Sequence, residues 1–193
     1  MPRLVIAISV SDEYKTRLDA IAATLGGRLQ SRVRWTRPDN WHVTLHFLGQ
    51  VEDDKVNPIR YALRQIEFPV FSMRADGIGA VPNVCHPRVI WVDMEEGSEA
   101  CIELAEEVKN VMESFDVKRG KQCIPHLTLG RVKRLECDNF AMEFAQIPQD
   151  WPMIRVDKFS LWESELTPNG SIYTVIEEFP LQMESEPPSP PTV

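Results

Sequence analysis

The chain has 193 residues, with 43% apolar, 26% charged and 8% aromatic side chains. That balance excludes disordered, collagenous and coiled-coil classes and allows one domain or two closely packed lobes. No apolar run approaches the ~20 residues of a membrane helix, no secretory signal is recognisable, and a formal charge of −8 argues against strong non-specific DNA binding, so a soluble cytoplasmic protein is expected.

Residues 3–10 are apolar and β-branched and predict a buried strand. Ser11 with Asp12 and Glu13 caps a helix running to about Leu25, which Gly26-Gly27 should stop. Residues 33–36 predict a short strand and 41–48 a clearer one. Asp53-Asp54 opens a helix carrying Ile59, Ala62, Leu63 and Ile66 on one side, with Pro58 expected near its first turn. Residues 68–80 and 88–94 read as strands around a Pro82-Asn83 turn. Residues 98–115 give the longest helical pattern, with Ile102, Ala105, Val108 and Met112 on one face and acids on the other. A strand at 125–132 follows; 140–145 fits either regular structure. Residues 154–162 and 172–176 alternate like a hairpin around Pro168-Asn169-Gly170. The Pro-rich acidic end, 183–193, predicts a disordered tail. The order strand, helix, strand, helix, strand, given twice, predicts an α+β fold of two similar lobes within a single domain over 1–180.

Charge is segregated along this order. Residues 93–116 hold nine acids against Lys109. Arg28, Arg32, Arg34 and Arg37 lie in a stretch without an acid, as do Lys118, Arg119, Lys121, Arg131, Lys133 and Arg134. Such segregation can build a local anion site on an acidic protein. Cysteines 85, 101, 123 and 137 form no C-x-x-C pair, so reduced, mostly buried thiols are expected rather than a disulfide framework or a zinc site.

One pattern carries chemistry. His42-Val43-Thr44-Leu45 recurs as His126-Leu127-Thr128-Leu129 in a chain with four histidines. On this composition a given His precedes x-Thr-Leu about three times in a thousand by chance. Strand side chains alternate, so His42 and Thr44 share one face while Val43, Leu45 and Phe47 anchor the other. His126 and Thr128 likewise oppose Leu127 and Leu129. Two lobes facing each other would enclose two imidazoles and two hydroxyls. One neutral imidazole can take a proton from water and one imidazolium can give a proton to a leaving oxygen. The hydroxyls can donate to non-bridging phosphate oxygens as charge builds. Phosphodiester cleavage suits such a cleft, and no metal or nucleotide cofactor is expected.

The stretches HVTLHFLG and PHLTLGR resemble the paired H-x-T-x motifs of the 2H phosphoesterase superfamily. The nearest branch is the RNA 2′,3′-cyclic phosphodiesterase, or 2′-5′ RNA ligase, family. RPDNWHVTLHFLG, HPRVIWVDM and FSLWESELTPNGSIYTVIEEF extend the likeness from the first strand to about Phe179. The resemblance implies a bilobal α+β fold with a pseudo-twofold axis and hydrolysis of a terminal 2′,3′-cyclic phosphate to a 2′-phosphomonoester. It implies His42 as proton donor, His126 as proton acceptor, and Thr44, Thr128 and Arg131 as phosphate-binding residues. Reversible, ATP-independent 2′-5′ ligation is implied in the same way, as is RNA, including tRNA fragments, as partner of a monomeric enzyme. The chemistry of the residues alone does not choose which histidine is acid and which is base. By parity Arg131 faces away from His126, so it reaches phosphate only if the strand bends or ends at Gly130; a bend is expected.

Other residues have plainer readings. His46 shares the face of His42 but sits ~13 Å along the strand, too far for a common metal; it reads as a rim or packing residue. His86 reads as an exposed loop residue. Trp41 should point away from the cleft, and a Cys123/His126 dyad is disfavoured by parity. Trp35, Trp91, Trp151 and Trp162 read as core or rim, with base stacking as the functional option. The rivals to RNA cyclic phosphodiesterase are a non-catalytic RNA-end binder, an enzyme for small cyclic nucleotides or 2′-5′ oligonucleotides, and, most weakly, a metal protein.

Overall fold

The computed structural model describes residues 1–115, 117, 123–168 and 170–182. Lys118, Arg119, Lys121, Asn169 and the 183–193 tail lie outside the described residues.

The elements are β1 Arg3–Ser9, α1 Asp12–Arg28, β2 Arg32–Trp35, a 3-10 turn at Pro38–Asn40, β3 His42–Gln50, α2 Asp53–Leu63 and β4 Phe71–Val81. The second half gives β5 Val89–Glu96, α3 Ser98–Met112, β6 His126–Arg134, α4 Phe140–Ala145, β7 Ile154–Val156, β8 Lys158–Thr167 and β9 Gly170–Pro180. Ser11 caps α1 by accepting from the Tyr14 N–H. Asn139 caps α4 by accepting from Met142, which settles 140–145 as helix.

Two expectations fail at helix interruptions. Gly26-Gly27 do not stop α1, which runs on to Arg28. A Cβ on Gly26 would lie 3.1 Å from the Trp35 indole nitrogen, so glycine here admits a packed indole, and that packing overrides a propensity cost of ~1 kcal/mol. Pro58 lies inside α2, beyond its first turn. It is on the exposed side, where water can satisfy the carbonyl left without an N–H partner.

The strands join in the order β7-β4-β5-β6-β3-β1-β8-β9, with β2 added to β6. Every pairing between these named strands is antiparallel. The order is symmetric about the contact between β3 and β6, a single rung at Val43↔Leu127. One lobe is β3-β1-β8-β9 and the other β6-β5-β4-β7. The repeat β1-α1-β3-α2-β4 matches β5-α3-β6-α4-β8, yet the closing strands are exchanged: β4 pairs with β5, and β8 with β1. Each lobe therefore contains chain from both halves.

Most apolar side chains form one core under the helices, including Leu4, Ile6, Ile8, Leu127 and Leu129. A smaller cluster lies on the other face of the first lobe: Val5, Ala7 and Trp162, with Phe47 and Tyr173 packed against it. Strand alternation makes both faces of β1 apolar, the second being the floor of a cleft. Tyr14 ties the halves together through its hydroxyl, which donates to Pro152 O at 2.6 Å and accepts from the Ala75 N–H at 3.1 Å. No helix among the described residues is long and apolar enough to cross a membrane.

Candidate active site

At the lobe junction Val43 and Leu127 point into the core, both essentially buried. Antiparallel order then sets His42 beside Thr128 and Thr44 beside His126, all on the opposite face. Diagonal neighbours across such a pair stand roughly 7–8 Å apart at Cα, which brings the two imidazoles to one stretch of the same face. They line a cleft of about 660 Å³ together with Thr44, Thr128 and Arg131. All five residues picked out in the sequence line one cavity.

The motifs share a feature that alternation alone conceals. Along β1, Ile6 pairs with His46 and Ala7 with Thr44, which leaves Leu45 as an extra residue. Along β5, Ile90 pairs with Gly130 and Trp91 with Thr128, which leaves Leu129 extra. Each motif thus carries a β-bulge at its Leu, and the parity of the residues that directly follow it is inverted. His46 therefore does not share the face of His42; it is turned to the core side and buried. Phe47, expected in the core, faces the cleft instead. Arg131 is brought to the cleft side by the equivalent bulge. The bend expected at Gly130 is in fact an extra residue at Leu129. Gly130 serves a different purpose, since a Cβ there would lie 2.7 Å from Val33 Cγ1 and 3.0 Å from Trp35 Cε3. Glycine lets β2 close over the strand.

Both imidazoles are held in the same way. His42 Nδ1 lies 2.7 Å from Asn40 O, and His126 Nδ1 lies 2.7 Å from Ile124 O. A carbonyl only accepts, so each Nδ1 carries a hydrogen and each Nε2 is left for chemistry. The Asn40 side chain braces this arrangement by donating to Ser171 O on β9 at 2.6 Å. Aromatic rings fix the imidazole planes: Tyr173 and Trp162 stand 4.7 and 5.5 Å from His42, and Trp91 stands 4.6 Å from His126, between ring centres. The indoles come from different strands, β8 in one lobe and β5 in the other.

Burial governs the charge of the pair. Desolvation pulls His42 down from 6.5 to about 4, against the hydrogen bond to Asn40 O and with the help of the other imidazole. His126 is also lowered by burial and by Arg131, while its bond to Ile124 O and the Asp93 carboxylate work in the opposite direction. Burial thus favours the neutral form of both rings, and an anion beside them favours the charged form.

Around this centre the cleft extends past Arg34, Trp35 and Arg37 on one side and Tyr173 and Leu166 on the other. Arg34 and Arg131 are cross-strand partners, a like-charge pair that suits an anionic ligand. Asn40, Phe47 and Tyr173 line the cleft without having been expected there, and Asp93 acts on His126 from the neighbouring strand. Asn40 acts through its backbone carbonyl, which no side-chain pattern reveals. Phe47 is concealed by the bulge. The remaining expectations resolve simply. His86 is exposed, Trp41 is buried in the core, and Trp151 stacks on Tyr14 away from the cleft. Cys101 and Cys123 are buried but Cys85 and Cys137 are exposed, so the thiols are half buried rather than mostly so. The Cys123 thiol donates to Thr44 O at 3.3 Å. Among the described residues no group of three or more His, Cys, Asp or Glu is arranged to hold a metal ion.

Comparison with known proteins gives a consistent result. The profile of a family described as LigT like phosphoesterase matches the chain twice, at residues 8–91 and 92–173, once for each half of the symmetric order. An RNA 2′,3′-cyclic phosphodiesterase of Archaeoglobus fulgidus is 33% identical over 177 residues, spanning 92% of this chain and 99% of that protein. One from Thermotoga maritima is 34% identical over 180 residues, spanning 91% and 94%. Among solved structures, a Thermus thermophilus protein superposes with a TM-score of 0.77 at 28% identity, covering 95% of this chain and all (100%) of that one. E. coli LigT complexed with phosphate gives 0.71 at 25%, covering 93% and 97%.

Proposed function

The chain belongs to the LigT-like phosphoesterase family, and from that premise we infer that it is an RNA 2′,3′-cyclic phosphodiesterase that opens terminal cyclic phosphates to 2′-phosphomonoesters. The observation that carries the reading is the convergence of two imidazoles from opposite lobes, with two hydroxyls and a guanidinium, on one cleft.

The tautomers prepare the reaction. His126, with hydrogen on Nδ1, offers the Nε2 lone pair to a water molecule. As His126 takes the water proton, the water oxygen bonds to phosphorus and the bond from phosphorus to the 3′ oxygen breaks. His42, protonated on entry of the phosphate anion, gives its Nε2 hydrogen to the departing 3′ oxygen. Thr44, Thr128 and Arg131 donate to the non-bridging oxygens, whose charge grows in the transition state. Turnover leaves His42 neutral and His126 charged, and exchange with solvent restores the start. An RNA 5′-hydroxyl in place of water would join two strands through a 2′-5′ bond without ATP. Because both imidazoles come from one chain, a single 1–180 bilobal domain suffices as a monomer. RNA fragments with cyclic ends, those of tRNA included, are the substrates that fit the reading.

The test is turnover of a cyclic-phosphate-ended oligonucleotide in excess chelator. The expected product is a 2′-phosphate end, with a bell-shaped pH profile. His42→Ala and His126→Ala should each lower kcat by about 100-fold or more, on the order of a general acid or base. Full activity in both variants would end the proposal.

A further inference from the structure

The pseudo-twofold makes each half of the cleft a control for the other. Across β1 and β3, Ser9 pairs with His42 and Ala7 with Thr44. Across β5 and β6, Asp93 pairs with His126 and Trp91 with Thr128. These positions correspond one to one, and the two Nδ1 contacts are equal at 2.7 Å. What differs is the cross-strand neighbour: a hydroxyl opposite His42, a carboxylate opposite His126. Directly opposed residues stand ~4.5–5.5 Å apart at Cβ, which brings the Asp93 carboxylate within charge range of the His126 ring.

That carboxylate is held in place. The Trp91 side chain hydrogen-bonds to it, and the same indole leans on the His126 ring at 4.6 Å. Gly79, the β4 partner of Trp91, leaves the room this requires. A Cβ there would lie 2.7 Å from the indole nitrogen and 3.3 Å from Asp93 Oδ2. Gly79, Trp91 and Asp93 thus form one packed unit behind His126. At the matching β1 positions behind His42 stand Ala7 and Ser9.

We propose that Asp93, packed beside the Trp91 indole, is the positioning residue of the reaction, its charge stabilising the imidazolium formed when His126 takes the proton of the attacking water. The inference rests on the two-histidine reading above. The charged groups that bear on His126 are Asp93 of β5, Arg131 of its own strand and His42 of β3, with Asp76 of β4 acting on Asp93. Of these, Asp93 favours a proton on His126 and Arg131 opposes it. The carboxyl of Asp93 is itself raised on balance, chiefly by burial and also by Asp76, against the pull of His126 and of Trp91, which lower it; charge on the His126 ring therefore favours the carboxylate.

The test follows the ring C–H signals of both histidines by NMR against pH in the wild type, Asp93→Asn and Ser9→Asp, beside steady-state kinetics. Asparagine keeps an acceptor for Trp91 and removes the charge. The His126 midpoint should drop by about one pH unit in Asp93→Asn, the lower end for an opposite charge at this range, while that of His42 holds. The kcat should fall ~10–100-fold with KM within about twofold, and Asp93→Glu should restore part of it. Ser9→Asp should raise the His42 midpoint instead. An unmoved His126 midpoint, or an unchanged kcat, in Asp93→Asn overturns the proposal. Full turnover in His126→Ala would instead overturn the two-histidine reading, so the two failures are distinguishable.

Discussion

Lowering the pH from 8 to 4 charges an imidazole that burial keeps neutral. The native pKa of His42 is about 4 against 6.5 for the free side chain, and desolvation is the main cause. Between these values the unfolded chain holds a proton that the folded chain does not, so stability falls as pH falls. The contribution is complete above pH 6.5 and lost below about 4. At ~1.4 kcal/mol per pH unit the loss is about 3 kcal/mol, a large part of the ~5–15 kcal/mol that holds a domain together. Urea unfolding of the wild type and His42→Gln at pH 8, 6, 5 and 4 isolates this contribution, because the other titrating groups are common to both. The wild type should lose about 3 kcal/mol more than the variant across the range. Parallel curves would refute the argument that the cleft holds His42 neutral by burial. The same logic requires proton uptake when inorganic phosphate binds near pH 6, measurable by calorimetry in two buffers of different ionisation enthalpy.

Four further substitutions test the site and its supporting structure. Thr44→Val and Thr128→Val keep side-chain shape and remove a hydroxyl, so each should lower kcat by about 10–100-fold, as expected for a donor to a developing oxyanion, with unchanged urea midpoints. Tyr14→Phe strands the buried Ala75 N–H and frees Pro152 O, which should cost ~1–3 kcal/mol in urea unfolding. Gly97→Ala places a Cβ 1.9 Å from Ser72 O at a φ of +77°, so a loss of ~3 kcal/mol or more is expected from thermal and urea unfolding.

The H-x-T-L repeat was legible because its information is local. A spacing of two along a strand sets His and Thr on one face whatever surrounds it, and Val43 and Leu127 opposite declare which face is core. The alternation of strands and helices predicted two lobes for the same reason. What lay beyond Leu45 and Leu129 was not legible. A bulge is a mismatch in residue count between two paired strands, and the partners of β3 and β6 are distant in sequence. Reading one strand alone therefore put His46 on the cleft side and Phe47 in the core, and left Arg131 facing away. The exchange of β4 and β8 between lobes is likewise a choice among edges that each strand's own pattern fits equally well. Nor could the chain order show that Ser9 and Asp93 are counterparts, because that equivalence exists only across the pseudo-twofold. Residue types and local spacing fixed which chemistry this protein can do; long-range pairing decided which side chains face the cleft and which of the two imidazoles has a carboxylate across from it.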